Sequence, residues 1–470
     1  MLKSFTPLVL AVLVFPVLSQ RCSAQSTITL SRKIGPPTST LSVSGTGFQP
    51  DIGVDIYFDN HDEALAVTDA NGQFSPTRIA VPPAATPGRH LISAIGRNSG
   101  GAAQSRFVVN TDWSQVGFSP AQTNSNPYEN VLNTRNVNRL DLLWFTYFGS
   151  DGNGPESSPP TSYEGRVYVT YVGPSGELDA INELTGVGDW SSRFSDSPAA
   201  ISDGVVYSVS DNGYLDAIDA LTGSLIWQFS FNTDKDYPPT PPVATDGKVF
   251  FGTLPGNFYA VDQRTGQLLW SLAPQGVIQS VPAVLDGTVY YCAGNCYAYD
   301  ENGFFFWQYS ASSNAAPAVS GGTVVVNNAA GTTALGSATG TVIWQYSAPG
   351  PETAPAIADG IVFVTRSSGT IALNAVTGQL IWSVPIISTY SPTVANGVVY
   401  ISDFSNSTLY ALEAASGKPL WLWQFAESVI VSSPSVINGM VYVNTVNLIE
   451  GYGVLNAFGL ATAVGVHLPN

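Results

Sequence analysis

A turn glycine, three residues, then a tryptophan: the chain writes this phrase seven times. The glycines are Gly186, Gly223, Gly266, Gly303, Gly340, Gly378 and Gly417, and the tryptophans are Trp190, Trp227, Trp270, Trp307, Trp344, Trp382 and Trp421. Five of the glycines follow Thr, and Asn302 and Ser416 take its place in the other two. Successive tryptophans stand 37, 43, 37, 37, 38 and 39 residues apart. Self-similarity at such a period marks a repeat architecture, in which each unit buries its apolar faces against its neighbours.

Between the phrases a second rhythm runs. Turn glycines at 165, 204, 247, 287, 322, 360, 397 and 439 precede β-branched and aromatic runs such as Val206-Tyr207, Val249-Phe250 and Val399-Tyr400. A Pro stands near the start of each unit, and no helical periodicity interrupts it. A unit near 38 residues accommodates four strands of about five residues with connections of about four. Four antiparallel strands repeated eight times predict an all-β, eight-bladed β-propeller over residues 142–470. The eighth unit ends in Ala457-Phe-Gly459 without a Gly-x-x-x-Trp of its own, while Trp144 precedes the first unit. The strand around Leu143-Trp144 is therefore expected to complete the last blade and fasten the ring.

The carrying words are Leu215-Asp-Ala-Ile-Asp-Ala-Leu-Thr-Gly-Ser-Leu-Ile-Trp227, Tyr259-Ala-Val-Asp-Gln-Arg-Thr-Gly-Gln-Leu-Leu-Trp270 and Ile371-Ala-Leu-Asn-Ala-Val-Thr-Gly-Gln-Leu-Ile-Trp382. They resemble the PQQ-like repeat family, which includes quinoprotein alcohol dehydrogenases and the propeller lipoprotein of the bacterial outer-membrane assembly machine. The resemblance covers about residues 112–470 and implies blades of four strands. It also implies that Trp144, Trp190, Trp227, Trp270, Trp307, Trp344, Trp382 and Trp421 dock against neighbouring blades. A WD40 propeller is not a close match, because no Trp-Asp dipeptide occurs.

Ahead of the repeats, residues 25–110 predict a β-sandwich. Seven short alternating segments, from Thr27–Leu30 to Ser105–Val109, are separated by Gly-, Pro- and Asn-Gly turn signals. Val43-Ser-Gly-Thr-Gly-Phe48 and Thr68-Asp-Ala-Asn-Gly-Gln-Phe74 resemble bacterial Ig-like modules of the IPT/TIG kind. Asp69 and Asn71 read as a hairpin turn around Gly72 rather than as calcium ligands. Residues 111–141 read as a polar linker or lead-in segment. Residues 1–24 read as a signal peptide: Lys3, an apolar run from Phe5 to Leu18, and a Cys22-Ser-Ala24 cleavage site. Gln20 and Arg21 speak against Cys22 as a lipid-anchor site. An exported bacterial protein, periplasmic, at the cell surface or extracellular, is expected.

Residues 142–470 carry 25 acids and only seven bases, a net charge of −18. Such a surface repels nucleic acid and anionic lipid, so neither partner is expected, nor is membrane insertion. Cys292 and Cys296 are expected to form a disulfide that staples one hairpin. The histidines, His61, His90 and His467, all lie outside the blades, which removes histidine-based nucleophile schemes from the ring. Carboxylate pairs Asp216/Asp219 and Asp234/Asp236 are the remaining acid–base candidates; the first belongs to the repeat word, and the second lies in the longest inter-blade connection, Phe231 to Pro242.

Two functional readings follow. In the first, the chain is a non-catalytic propeller, without a cofactor or metal, that binds or scaffolds a protein or glycan partner at or outside the cell envelope. A monomer is expected. The alternative is a PQQ- and calcium-dependent dehydrogenase of alcohols or sugars, as the resemblance allows. Against it, the cysteines are not adjacent, no calcium-binding or catalytic motif can be placed, and seven scattered bases poorly suit a tricarboxylate quinone. Function is to be sought where the repeat breaks: the 231–242 loop, the Cys292–Cys296 hairpin and the irregular stretch from Asn444 to Gly453.

Overall fold

The computed structural model describes residues 25–97, 101–148, 156–157, 159–172, 176–193, 197–210, 212–231, 240–254, 256–273 and 276–461. The leader at 1–24, the 232–239 part of the long connection with Asp234 and Asp236, and His467 lie outside them. The chain divides into two compact units. The N-terminal unit (1–34, 39–81 and 89–108) carries two antiparallel sheets, one of Thr27–Leu30, Thr40–Thr46 and Phe74–Ala80, the other built around Gly53–Phe58, His61–Val67, Gly88–Gly96 and Ala102–Val109. Alternation buries one face of Thr40–Thr46 and of Gly53–Phe58, with Val43, Val54 and Ile56 fully buried. Gly72 takes φ +73°, and Asp69 Oδ1 accepts the Asn71 and Gln73 N–H groups. The Asp69 carboxylate is therefore spent on a turn.

The second unit (35–38, 82–88 and 109–470) is a ring of eight blades. Blade 2 is representative: Ala200–Ser202, Val205–Ser210, Tyr214–Asp219 and Leu225–Ser230 pair antiparallel in sequence order. Blades 1 and 3 to 7 repeat this order, beginning with Thr161–Tyr163, Val243–Thr245, Ala283–Leu285, Ala318–Ser320, Ala356–Ala358 and Thr393–Ala395. In blade 4, Thr288–Asp300 runs as one strand segment but doubles back on itself. The Cys292 and Cys296 Cα atoms are 4.0 Å apart and disulfide-bonded, whereas a straight strand would separate them by about 13 Å. Blade 8 consists of Ser435–Ile437, Met440–Asn447 and Gly453–Leu460, completed by Leu140–Phe148 from the far end of the repeat region. The ring closes as the missing phrase implied.

Eight apolar clusters hold the ring, one between each pair of successive blades. The second strand of each blade is therefore buried on both faces, which is why these strands read as unbroken Val-Val-Tyr runs rather than alternating ones. The Gly-x-x-x-Trp phrase fits the same interfaces. A Cβ on Gly266 would lie 2.6 Å from the Trp227 ring, and the other six glycines meet the tryptophan of the preceding blade within 2.6 to 3.1 Å, Trp144 included. Only a residue without a side chain, at φ +71°, lets the indole lie flat on the turn. The indole N–H groups then donate to turn carbonyls: Trp190 to Ala220, Trp227 to Gln263, Trp270 to Glu301, Trp307 to Ser337, Trp344 to Ala375, Trp382 to Ala414, and Trp421 to Leu140, at 2.8 to 3.3 Å.

The lead-in is not a linker. The three-residue first strands of successive blades contact one another around the axis, and residues 111–126 run along them. Trp113 O, Ser114 O, Pro120 O, Ala121 O, Thr123 O and Asn124 O accept the N–H groups of Ser162, Ile201, Val284, Val319, Ile357 and Val394 at 2.6 to 2.9 Å. Gln115 Oε1 accepts the Ala244 N–H, and Asn126 Nδ2 donates to Val436 O. Each contact falls on the middle residue of a first strand, blade by blade, so one segment visits all eight edges in order. Positive φ at Gly117, Phe118, Gln122 and Asn124 lets the segment curl this tightly.

Candidate binding site

On the turn face of blades 5 to 7, the lead-in borders a cleft of about 740 Å³. Ser125–Asn126 lies along it as a short parallel strand beside Val394–Ala395. Asp359 and Asn396, in two first-to-second-strand turns, stand at its edge, with Ile343 and Val376 as exposed apolar rim residues. Glu129 closes one end. Its Oε1 accepts the Val131 and Leu132 N–H groups and its Oε2 the Gly439 N–H, at 2.7 to 3.1 Å. Burial raises the Glu129 pKa while these donors pull it down. None of the residues lining the cleft is basic.

Two further carboxyls lie where blade 8 meets blade 1. Glu183 is buried and accepts both of its hydrogen bonds from Asn438 Nδ2, at 2.9 and 3.1 Å. Asn438 Oδ1 in turn accepts the Thr111 N–H. Asp112 accepts the Glu164 N–H, and its Oδ1 is buried without a partner. With no cation to compensate, burial pushes Glu183 up to about 8 and Asp112 up to about 6. These groups tie the lead-in to the closure.

The sequence candidates fall apart as a site. Asp216 is buried on its strand and accepts Gln228 Nε2 at 2.8 Å, whereas Asp219 ends the same strand and its carboxylate caps the following turn, accepting the Thr222 N–H and hydroxyl. Burial raises the first pKa, and the Thr222 hydrogen bonds lower the second. They do not converge. Cys292 and Cys296 are buried in the core between blades 4 and 5. From Asn444 to Gly453 the blade-8 hairpin is lengthened by pairing with Ser428–Ile430, and Asn447 caps its turn. Residues 111–126, Glu129 and Glu183 were missed as a set. Their only sequence signal is the Asn-rich composition of the lead-in, because the partners lie up to 327 residues away.

A tricarboxylate quinone does not fit the bases present. Arg166 pairs with Asp189 and Lys248 with Glu301. Arg366 is fully buried, bonded to Asn327 and Thr332. Arg193, Arg264 and Lys418 are exposed along outer strands and turns, and Lys235 lies outside the described residues. Nor is there, among the described residues, a cluster of three or more His, Cys, Asp or Glu side chains able to hold a metal.

A family model described as outer membrane protein assembly factor BamB matches residues 211–422 and 368–458, together more than half of the chain. The chain belongs to the BamB-like family of PQQ-like repeat propellers. Solved structures agree on the fold of this BamB-like chain. BamB from Moraxella catarrhalis is similar at a TM-score of 0.56 and 16% identity, covering 70% of this chain and 99% of that one. Quinohemoprotein alcohol dehydrogenase from Comamonas testosteroni reaches a TM-score of 0.62 at 16% identity, with 77% and 82% covered. A computationally designed protein, Ika8, reaches 0.55 at 17% identity, with 66% and 98% covered. No curated protein matches the sequence. Likeness at such identity speaks for the fold alone, and a scaffold, an enzyme and a design share it.

Proposed function

We propose that this BamB-like chain is an exported, non-catalytic binding module that holds a segment of a protein partner in the blade 5–7 cleft, with the N-terminal two-sheet unit as an Ig-like spacer. The observation that carries this reading is the cleft itself. It is in the size range of ligand sites, about 300–1,000 Å³. Its rim residues Ile343 and Val376 are apolar and exposed, its polar liners are carboxylates (Glu129, Asp359), amides (Asn126, Asn396) and Ser and Thr hydroxyls, and no base lines it. That chemistry suits an extended segment offering N–H donors, apolar side chains or positive charge. It does not suit an anionic cofactor.

The reading is tested by photo-crosslinking from Val376, with Leu225 on the outer rim of blade 2 as the control position. A discrete protein adduct from Val376 alone is expected, reduced by Asp359→Lys. Adducts at both positions alike, or at neither, overturn the assignment. In parallel, purified protein is mixed with PQQ and calcium and assayed for quinone absorbance and dye-linked alcohol or sugar oxidation. Stoichiometric uptake with turnover would replace the binding reading with the quinoprotein one.

A further inference from the structure

The groove between blades 8 and 1 breaks a rule that six of the eight interfaces keep. Two residues after each docking tryptophan stand Phe229, Leu272, Tyr309, Tyr346, Val384 and Trp423 in blades 2 to 7. All six pack against the inter-blade cores. Between blades 2 and 3, Phe229 meets Tyr259 of the next blade with ring centroids 6.1 Å apart. At the closure the residues corresponding to Phe229 and Tyr259 are Thr146 and Asp179; the interface between blades 1 and 2 likewise has Ser192 and Asp216. The space a large side chain would fill is left as a groove of about 490 Å³.

The walls of the groove have a definite chemistry. Tyr147 and Tyr452, 53% and 38% exposed, stand at its mouth with centroids 6.1 Å apart, and Phe145 extends the aromatic row at 5.7 Å from Tyr147. Glu177, Asp179 and Glu450 supply carboxylates. Asp179 accepts the Ser191 hydroxyl, and burial pushes it up to about 6. No lining residue is basic. The wall is rich in acceptors, so an occupant must be rich in donors and carry no negative charge. The exposed rings call for flat C–H faces.

We infer that this groove is a subsite for a neutral sugar, whose hydroxyls donate to Glu177, Asp179 and Glu450 while its C–H face rests on Tyr147 or Tyr452. A lysine-rich peptide would satisfy the carboxylates but leave the aromatic row without a matching surface, and it would desolvate a charge on entry.

The test uses the full chain and isothermal titration with neutral gluco- and chito-oligosaccharides, an oligogalacturonate and oligolysine. Binding by at least one neutral oligosaccharide and none by the oligogalacturonate is expected. Thr146→Phe copies the Phe229 arrangement and fills the groove. It should abolish binding with an unchanged Tm, so a loss cannot be blamed on unfolding. Tyr147→Ala and Tyr452→Ala should each weaken binding about tenfold. No neutral oligosaccharide binding at millimolar concentration, sugar binding that survives Thr146→Phe, or oligolysine binding that alone is lost in Thr146→Phe would each overturn the assignment. The Val376 adduct proposed for the cleft should not respond to Thr146→Phe, which separates the two proposals.

Discussion

The interface between blades 2 and 3 and the closure between blades 8 and 1 are built to one plan and finished differently. At the first, Trp227 lies on Gly266, its N–H and the Tyr207 hydroxyl share the Gln263 carbonyl, and Phe229 fills the outer gap. At the second, Trp144 lies on Gly186 in the same way and the Tyr442 hydroxyl reaches the Glu183 carbonyl. There the Trp144 N–H is buried without a partner, Glu183 is buried without a cation, and Thr146 leaves a groove. The repeated interface is satisfied within one word of sequence. The closure joins parts of the chain some 300 residues apart, as in Leu140 with Leu460. There the repeat no longer dictates each residue, and polar and open features gather.

Four measurements break or sharpen this contrast. The largest effect is expected from Trp227→Ala, which empties the blade 2–3 dock and should cost about 3 kcal/mol or more in denaturant titration. Next comes pH. Glu183 stands near 8 in the fold against an ordinary 4.5, so the folded state holds a proton that the unfolded chain releases. Its contribution to stability is full below about pH 4.5 and is lost as pH rises toward 8. Asp112, raised to about 6, acts in the same direction. Tm measured from pH 5 to 8 should fall, and Glu183→Gln should flatten the profile; an unchanged slope in that variant would sink the assignment.

Smaller again, Gly266→Ala forces a Cβ to 2.6 Å from the Trp227 ring at φ +71°. It should cost about 1–3 kcal/mol by chemical denaturation. The smallest effect distinguishes the two regions most cleanly. Trp227→Phe deletes a hydrogen bond and should cost about 1 kcal/mol beyond the packing change, whereas Trp144→Phe deletes an unpaired N–H and should lack that penalty. Equal losses in the two variants would mean that the Trp144 indole is bonded in solution.

Much of this was legible in advance. The Gly-x-x-x-Trp phrase needs a turn with positive φ and an indole-sized gap, both local demands, so the blades, their number and the closing strand could be read from spacing. The disulfide between Cys292 and Cys296 was likewise a matter of four residues. The candidate sites were far less legible. Asp216 and Asp219 looked like a pair on paper because they are neighbours in the word, yet the first bonds Gln228 on the adjacent strand while the second, at the strand end, caps the turn at Thr222. Thr146 gave no signal at all, because its meaning appears only when it is aligned on Trp144 with the positions of Phe229 and Tyr309.

The sequence alone determined the ring: an apolar, β-branched repeat with a glycine dock every 37 to 43 residues has no other way to bury its faces than against copies of itself. Only the tertiary structure decided that residues 111–126 thread the first strands of all eight blades, that Glu183 meets Asn438 in burial, and that the closure keeps a groove lined by carboxylates and tyrosines. The physical reason is range. Docking and turn geometry are fixed by residues a few positions apart, while the central segment and the seam depend on single hydrogen bonds and side-chain volumes between residues that become neighbours only when the circle is complete.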